Sequence, residues 1–568
     1  MLHRLPASAS LIRVVALMAV AACLSAPARA DEPDSVKYWV LFTDKVETVD
    51  MSAPAASAHA TERAMDRRRL RGRPHAASLL KAVSTDYIQY LADLDVRQHV
   101  TSNWLNGISA WLTPEKVTRV RTLPFVREVR PVGVAVVEET PLTVDLVDHS
   151  PVPPVFRTSS RMAYGPSETQ LDVVNAIPPL EQGFNGTGVR LGFLDTTFDN
   201  FNHPAFNTMQ TEGRLIEVRD FTGLSQTNLH GRSVASIAAG FLDGQLIGPA
   251  YGAEIVAATT EFAPTETNQE EDNFVAGMEW LESMGVDVVN VSLGYTTFDD
   301  GQHSYATDDL NGDTGITTIA ADMAASLGVV VVTSAGNWVS AGCGSPLDCW
   351  YYIGTPADGD SVIAVGAVDA SGTRASFSSY GPTADGRIKP DVSAMGVTVY
   401  HASSTSGMGY GNGTSFSGPM VAGVACQMLQ ANPTLTPMQV LNLLKQSASQ
   451  SQNPDNSLGW GIINAEIAVA AAIAVSTERE SPVKPVRISA YPNPFDDHVT
   501  FAFESDDPGH ASLKIFDLLG REVARPLDDV VSAGSHTVMW NNDGLAAGIY
   551  VYVLTTRDGT RAGQVARL

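Results

Sequence analysis

The sequence predicts an α/β protein built on a parallel sheet with helices on both faces. A small α+β domain precedes it and an all-β, immunoglobulin-like sandwich follows. Between about residues 167 and 474, near-continuous Val/Ile runs alternate with helical patterns, which is typical of a parallel sheet buried on both faces. The segment before mixes strands with helices, and the segment after shows only short alternating strands separated by turn residues.

The composition is that of a soluble globular protein with several domains. The chain has 568 residues, of which 44% are hydrophobic and 17% charged, and this length suits three or four domains. Its 37 basic and 62 acidic residues give a net charge of −25. So negative a chain repels phosphate backbones, and we therefore expect no nucleic-acid partner.

The first thirty residues predict a secretory signal. Arginines precede an apolar run over residues 14–24, and Ala28-Arg29-Ala30 stands before the acidic Asp31, which is the pattern of a cleavable signal peptide. The apolar run is too short to cross a bilayer. A lipoprotein signal ending at Cys23 is the alternative, and it ranks lower because it leaves only residues 14–22 apolar.

After the signal, the pattern predicts a small βαββαβ unit followed by a Pro-rich linker over residues 141–154. The expected strands and helices are strands 38–42, 96–100, 107–112 and 125–137, and helices 76–94 and 113–123. An arginine-rich run at residues 67–73 could be a processing or binding patch, but a solvated helix face is the interpretation we prefer.

The central segment places polar residues at the ends of its strands. The expected elements are strands 189–194, 254–260, 286–291, 329–333 and 362–368, and helices 274–284 and 316–327. Asp195 and Ser292 each end a buried strand, and Asn337 follows another. Active sites of parallel sheets lie beyond the carboxyl ends of the strands, so we expect these side chains at one edge.

Residues 413–419 place Ser415 at the start of a helix. Apolar residues recur at helical spacing until Asn432-Pro433, which predicts a buried helix from about Phe416, with Pro419 in its first turn. A helix start offers unpaired amides and a positive dipole end beside the hydroxyl, which suits a nucleophile. A serine that only caps the helix is the commoner alternative.

Four residues together supply the parts of an acyl-transfer site. Such a reaction needs a nucleophile, a base, a group that orients the base, and donors for the oxyanion. Ser415 is the candidate nucleophile, His230 the base, Asp195 the orienting carboxylate and Asn337 the oxyanion donor.

In these residues the central segment resembles a subtilisin-like serine protease. The order Asp, His, Ser is that of subtilisin, and matching segments lie at 290–294, 377–382, 389–392 and 459–465. The resemblance implies a serine endopeptidase that acts on proteins or peptides as a monomer and needs no catalytic cofactor. It also implies that two segments edge the substrate cleft: Ser292, Leu293 and Gly294, and Ser334, Ala335 and Gly336.

The flanking domains carry resemblances of their own. The βαββαβ unit is similar to a subtilase propeptide, which assists folding and occupies the cleft until it is cut away. Residues 491–495, 517–523 and 546–552 resemble the sorting domain of type IX secretion, whereas a stalk or a carbohydrate-binding sandwich is the alternative. A bacterial protein exported through the periplasm, and then secreted or attached to the cell surface, is implied.

These interpretations divide the chain into five parts. We expect a signal peptide at 1–30, a propeptide with its linker at 31–160, the peptidase domain at 161–475, a second linker at 476–485 and the sorting domain at 486–568. The propeptide itself and the secretion machinery are the expected partners.

Two residues depart from the family pattern. Thr197 stands where a glycine is usual, which could strain the backbone, and Arg232 stands where a threonine or serine usually follows His-Gly. Either could narrow the cleft. They motivate one rival, a catalytically weak subtilase fold that serves as a surface binding or scaffold protein. A narrow processing protease of the secretion route is another rival.

Cysteines and acidic loops predict two structural features. Cys343 and Cys349 flank a five-residue loop in an oxidising compartment, so we expect a disulfide, whereas Cys426 fits the core. Residues 308–313 mimic the start of an EF-hand but lack its required glycine and glutamate. A structural calcium held in another way stays open.

Overall fold

The computed structural model describes residues 35–45, 61–72, 81–132, 162–299, 302, 304–339, 352–480, 488–505, 508–516, 522–541, 544–546, 548–556 and 559–567. The expected signal peptide, the Pro-rich linker and the Cys343–Cys349 pair lie outside these residues.

The N-terminal domain is a four-stranded antiparallel sheet in the order β2-β3-β1-β4. Its elements are β1 (Val36–Phe42), α1 (Glu62–Leu70), α2 (Thr85–Asp93), β2 (Gln98–Ser102), β3 (Gly107–Leu112), α3 (Pro114–Arg121) and β4 (Val126–Pro131). The predicted small α+β domain is confirmed, and α1 is an addition to the expected unit. Its second helix is shorter than predicted, because Ser84 caps it by accepting from Tyr87 N.

The central domain is a seven-stranded parallel sheet in the order β13-β12-β11-β10-β5-β9-β6. Its strands are β5 (Arg190–Asp195), β6 (Leu215–Asp220), β9 (Glu254–Thr259), β10 (Val288–Val291), β11 (Val330–Ser334), β12 (Ile363–Val368) and β13 (Val392–Met395). Along β5, Leu191 and Phe193 enter one hydrophobic core and Leu194 enters another. A core on each face confirms the predicted buried parallel sheet, although β6 and β13 were not expected.

Helices cover both faces of this sheet. They are α4 (Glu168–Val173), α5 (Ile177–Glu181), α6 (Asn207–Thr211), α7 (His230–Ala239), α8 (Asn268–Ser283), α9 (Ile316–Ser326), α10 (Thr414–Ala431), α11 (Pro437–Ser447) and α12 (Ala465–Glu480). Helices α7, α10 and α12 pack in one core, and α8 and α9 pack in the other. Two hairpins complete the domain: β7 (Phe241–Leu242) with β8 (Leu246–Ile247), and β14 (Val399–Ala402) with β15 (Met408–Gly411).

The C-terminal domain is an antiparallel sandwich, as predicted. One sheet has the order β16-β17-β20 and the other β19-β18-β21-β22. The strands are β16 (Ile488–Tyr491), β17 (His498–Ser505), β18 (Gly509–Phe516), β19 (Glu522–Val531), β20 (Gly534–Asn541), β21 (Gly548–Thr556) and β22 (Gly559–Arg567). Phe501 and Leu513, from opposite sheets, share one core. Over the residues that the structure describes, we find no helix with the length and hydropathy of a membrane span.

The arginine-rich run is not a solvated helix face, and that prediction is wrong. Arg67, Arg68 and Arg71 are 3%, 4% and 3% exposed, and they reach from the N-terminal domain to carboxylates of the central domain. Arg67 and Arg68 both pair with Glu282, and Arg71 pairs with Asp287 at 2.9 Å. Partners distant in sequence bury the charges, which local patterning does not reveal.

Candidate active site

Four predicted residues meet at the carboxyl edge of the parallel sheet. Asp195 ends β5, His230 begins α7, Ser415 is the second residue of α10, and Asn337 follows β11. Strands β5, β10 and β11 are neighbours in the sheet, so the loops that follow them are brought together.

The carboxylate of Asp195 faces the imidazole of His230. Asp195 Oδ1 lies 2.7 Å from His230 Nδ1 and also accepts from the backbone N of Thr196 at 2.7 Å. Asp195 is 0% exposed. Burial lowers the pKa of His230, but attraction to Asp195 and their hydrogen bond outweigh it, so the pKa is raised overall. A buried carboxylate thus orients the ring and favours its protonated form.

The hydroxyl of Ser415 donates to the backbone oxygen of Ser292 at 3.3 Å. Between described residues this is the hydrogen bond that we find for Ser415 Oγ, rather than one to His230. In structures without a substrate, the hydrogen bond between a nucleophile and its base is often long or poorly aligned and tightens when the substrate binds. The hydroxyl of Ser292 in turn donates to the backbone oxygen of Ser415 at 2.9 Å.

Pro419 explains why that backbone oxygen is available. Helix α10 begins at Thr414, two residues before the predicted start, so Pro419 is the sixth helical residue and not in the first turn. A proline has no amide to bond the carbonyl four residues earlier, which is that of Ser415. The Ser292 hydroxyl takes the freed position, and this ties β10 to the start of α10.

Sequence reasoning missed three residues around the site. Thr414 contacts Asn337 through both its backbone N and its hydroxyl, at 2.9 and 3.0 Å. The Phe416 ring stacks between two imidazoles, 6.0 Å from His230 and 4.8 Å from His401. Burial lowers the pKa of His401 to about 4, so this ring is neutral near pH 7. Adjacency to Ser415 was a signal for Thr414 and Phe416, but none existed for His401.

At the two departures from the family pattern, the structure shows a backbone without positive φ at Thr197 and a buried side chain at Arg232. Thr197 does not have a positive φ. The residues with positive φ in this loop follow it, namely Asp199, Asn200 and Phe201 at 48°, 48° and 56°. The expected strain at Thr197 is therefore wrong. Arg232 is 0% exposed and pairs with Asp199 at 3.3 Å, so its side chain does not narrow the cleft.

A cluster of three carboxylates lies at the same sheet edge, after β9. One oxygen each from Glu261, Glu266 and Glu270 lies within 4.8 Å of the others, and within the described part of the chain no other group of three potential ligands is this compact. Burial raises the pKa of Glu266 to about 8 and of Glu270 to about 7, with repulsion between carboxylates adding to it. Glu261 Oε1 is buried without a hydrogen-bond partner among described residues. This oxygen-only set suits Ca²⁺.

The predicted acidic loop at residues 308–313 is closed by its own hydrogen bonds. Asn311 Oδ1 accepts from the backbone N of Asp313 and Thr314 at 2.9 and 3.0 Å. Asp309 accepts from the backbone N of Ala306 at 2.8 Å. Asn311 Oδ1 and one oxygen of Asp309 therefore already serve the turn.

Comparison with known proteins matches three segments of the chain to protein families. Residues 186–461 match the subtilase family model, 37–142 the peptidase S8 propeptide domain of Bacteroidota, and 489–565 the secretion system C-terminal sorting domain. The sorting domain makes the protein secreted or attached to the cell surface. The predicted propeptide and sorting domain are confirmed, and the stalk or carbohydrate-binding alternative is not supported.

Relatives agree with the central match. Subtilisin DY of Bacillus licheniformis is 34% identical over 293 residues, which cover 50% of this chain and 93% of the relative. Subtilisin E of Bacillus subtilis is 32% identical over 288 residues, covering 50% and 67%. The self-cleaved protease domain of PatA aligns with a TM-score of 0.41 at 23% identity, covering 51% of this chain and 98% of that domain. The chain belongs to the subtilase family of serine-type endopeptidases.

Proposed function

We propose that this secreted precursor hydrolyses peptide bonds through an Asp195–His230–Ser415 triad and an acyl-enzyme intermediate. The observation that carries the proposal is the 2.7 Å contact between His230 Nδ1 and the fully buried Asp195. A ring held there by a buried carboxylate is oriented to use its other nitrogen as a base. Ser415 and Asn337 stand at the same sheet edge.

In the first step, His230 Nε2 takes the proton of the Ser415 hydroxyl while Oγ bonds to the scissile carbonyl carbon. Asn337 Nδ2 and the Ser415 backbone N donate to the oxyanion that forms. His230 then gives the proton to the leaving amine as the C–N bond breaks. A water molecule repeats the sequence on the acyl-enzyme and frees Ser415.

The peptide lies between two segments in this proposal. Ser292, Leu293 and Gly294 follow β10, and Ser334, Ala335 and Gly336 end or follow β11, so the two segments flank the start of α10. The first would pair with the substrate backbone as an added strand. We propose that a single chain is the active unit and that no cofactor takes part in the chemistry.

We also propose that the precursor cuts itself. The domain boundaries are those given above, and a disulfide joins Cys343 to Cys349. The propeptide contacts α8 through a buried pair, Lys37 with Asp272 at 2.8 Å. Glu279 of the same helix accepts from the backbone N of Asn103 and Trp104, at 3.2 Å each. These contacts hold the propeptide on the central domain, and they slow its release after the linker over residues 141–154 is cut.

We also propose a structural calcium ion at Glu261, Glu266 and Glu270. These carboxylates lie together without a basic side chain among the groups that shift their pKa values. A cation there would neutralise charge that burial makes unfavourable. It would hold the loop after β9 and take no part in catalysis.

Intact mass and active-site labelling test the function. We expect secreted wild type to lose its propeptide and react with a fluorophosphonate probe, and Ser415→Ala to do neither. Ser417→Ala is a matched control, because Ser417 lies on the same helix and donates to Thr414 O at 3.0 Å. Identical maturation of wild type and Ser415→Ala would exclude self-processing, and an unlabelled mature wild type would favour the scaffold rival.

A further inference from the structure

Three glycines form a slot around the indole of Trp338. A Cβ atom placed on Gly294, Gly336 or Gly354 would lie 2.9, 2.1 and 2.5 Å from the benzene ring of Trp338. Real Cβ atoms essentially never come closer than 3.0 Å to such a neighbour. Each glycine is therefore required to admit the ring, and Gly336 also has a φ of 107° that favours glycine.

The slot lies inside the proposed cleft. Gly294 and Gly336 belong to the two segments that we propose to flank the peptide, and Trp338 directly follows the oxyanion residue Asn337. The backbone N of Tyr295 donates to Thr355 O at 2.8 Å. This bridge brings Gly354 beside Gly294.

The backbone holds Trp338 in place. Its N donates to Ser379 Oγ at 3.3 Å, and Ser379 N donates to Gly336 O at 2.9 Å. The indole is half-buried. A slot with glycine walls takes a flat side chain, and here the enzyme's own tryptophan occupies it.

We propose that Trp338 fills the pocket for the side chain preceding the scissile bond and restricts that side chain to a small one, such as alanine or glycine. This inference rests on the proposed function. A phenylalanine or leucine at that position would need the volume that the indole occupies. Exclusion by shape raises the energy of the bound transition state and therefore lowers kcat/KM for large side chains.

Paired peptide substrates that differ only in alanine or phenylalanine before the scissile bond test the inference on the secreted enzyme. We expect wild type to favour alanine by about 100-fold in kcat/KM, because steric discrimination in pockets reaches that order. Trp338→Ala should reduce this preference at least tenfold by gaining activity on phenylalanine. Trp338→Phe, which keeps a ring in the slot, should retain it.

Two results would overturn the inference: wild type cleaving after phenylalanine as readily as after alanine, or Trp338→Ala leaving the preference unchanged. Fluorophosphonate labelling separates this failure from that of the proposed function. A labelled enzyme with the wrong preference contradicts only the role of Trp338, whereas an unlabelled one contradicts both. If Trp338→Ala is not secreted, the cleavage of a mixed peptide library by wild type still tests the inference, because cleavage mainly after large side chains would contradict it.

Discussion

The side chain of Asn337 is held by Thr414, the residue immediately before the proposed nucleophile. Asn337 Oδ1 accepts from the backbone N of Thr414 at 2.9 Å and from its hydroxyl at 3.0 Å. The same hydroxyl accepts from Gly336 N at 3.1 Å. Because both bonds end on Oδ1, the Nδ2 amide keeps its donors for the oxyanion role that we propose, and the start of α10 sets its direction.

Replacement of Asn337 by leucine should lower kcat by about 10²–10³ with little change in KM. The magnitude is taken from subtilisin, where the loss of one oxyanion donor costs about 2.7–4 kcal/mol. Thr414→Val should lower kcat less, because the backbone bond to Oδ1 remains. Steady-state kinetics on one peptide substrate measures both. Asn412→Leu, a nearby asparagine that accepts from Thr398 N, is the control. An unchanged kcat in Asn337→Leu would remove Asn337 from the mechanism.

Replacement of Asp195 by asparagine should lower kcat by about 10⁴, the order seen when an orienting carboxylate is lost from a triad. It should also move the acidic limb of the pH profile of kcat/KM. Asp195 raises the pKa of His230 above its usual 6.5, and the base must be neutral, so wild type gains activity as pH rises through that raised value. Without the carboxylate the limb moves to lower pH. The exposed Asp220→Asn should leave the profile in place, and an unmoved limb in Asp195→Asn would contradict the assignment.

Replacement of Arg232 by methionine should change kcat/KM less than about threefold. The Arg232 side chain is buried, and its Nε and Nη2 have no partners among described residues. The substitution removes only one member of the pair, but the Asp199 side chain is 44% exposed and its charge stays in contact with water. Loss of the ion pair should therefore cost no more than about 1 kcal/mol, and removal of a buried guanidinium with unpaired donors should offset that cost. Steady-state kinetics tests the expected kcat/KM, and urea unfolding of the same preparation tests the expected stability. A large gain in kcat would show instead that Arg232 weakens the enzyme, as the scaffold rival requires.

The carboxylate cluster should make stability depend on pH and calcium. Glu266 and Glu270 have pKa values raised from 4.5 to about 8 and about 7. Between the unfolded-state pKa of 4.5 and these raised values, the folded state therefore binds more protons than the unfolded state. The contribution of the protonated carboxyls to the free energy of unfolding is fully present below about pH 4.5 and is lost as pH rises through 7 to 8.

Thermal unfolding of the Ser415→Ala chain at pH 5 and pH 8, with EDTA or Ca²⁺, tests this. We expect Ca²⁺ to raise Tm at pH 8 and to have little effect at pH 5. Glu266→Gln should reduce the effect of Ca²⁺, whereas the exposed Glu217→Gln should not. If Ca²⁺ changes Tm equally in both variants, the cation binds elsewhere or not at all.

The buried arginines should slow release of the cut propeptide. In a Ser415→Ala chain with a site for an added sequence-specific protease at residues 141–154, the cut fragment should stay bound during gel filtration. Arg67→Ala combined with Arg71→Ala should speed its release at least tenfold, because Glu282 and Asp287 lose buried partners. Arg69→Ala is the control, since that side chain is 64% exposed. Equal release from both variants would show that α1 does not anchor the propeptide.

Local patterns in the sequence were sufficient for the fold class and for naming the candidate site. Strand and helix periodicity reflect which faces are buried, so the parallel sheet and the sandwich were predictable. Asp195, His230, Asn337 and Ser415 stand in short motifs whose order is that of the family.

Only the tertiary structure decided contacts between distant parts of the chain. Arg67 and Glu282 are 215 residues apart, and nothing near either predicts the other. The same holds for Trp338 among three glycines and for the Ser292 hydroxyl on the Ser415 carbonyl. Periodicity reports whether a side chain faces the core but not which partner meets it there. That partner depends on how the packed elements approach. The propeptide anchoring and the pocket that we propose, and the hydrogen bond of the Ser415 hydroxyl, all rest on such contacts.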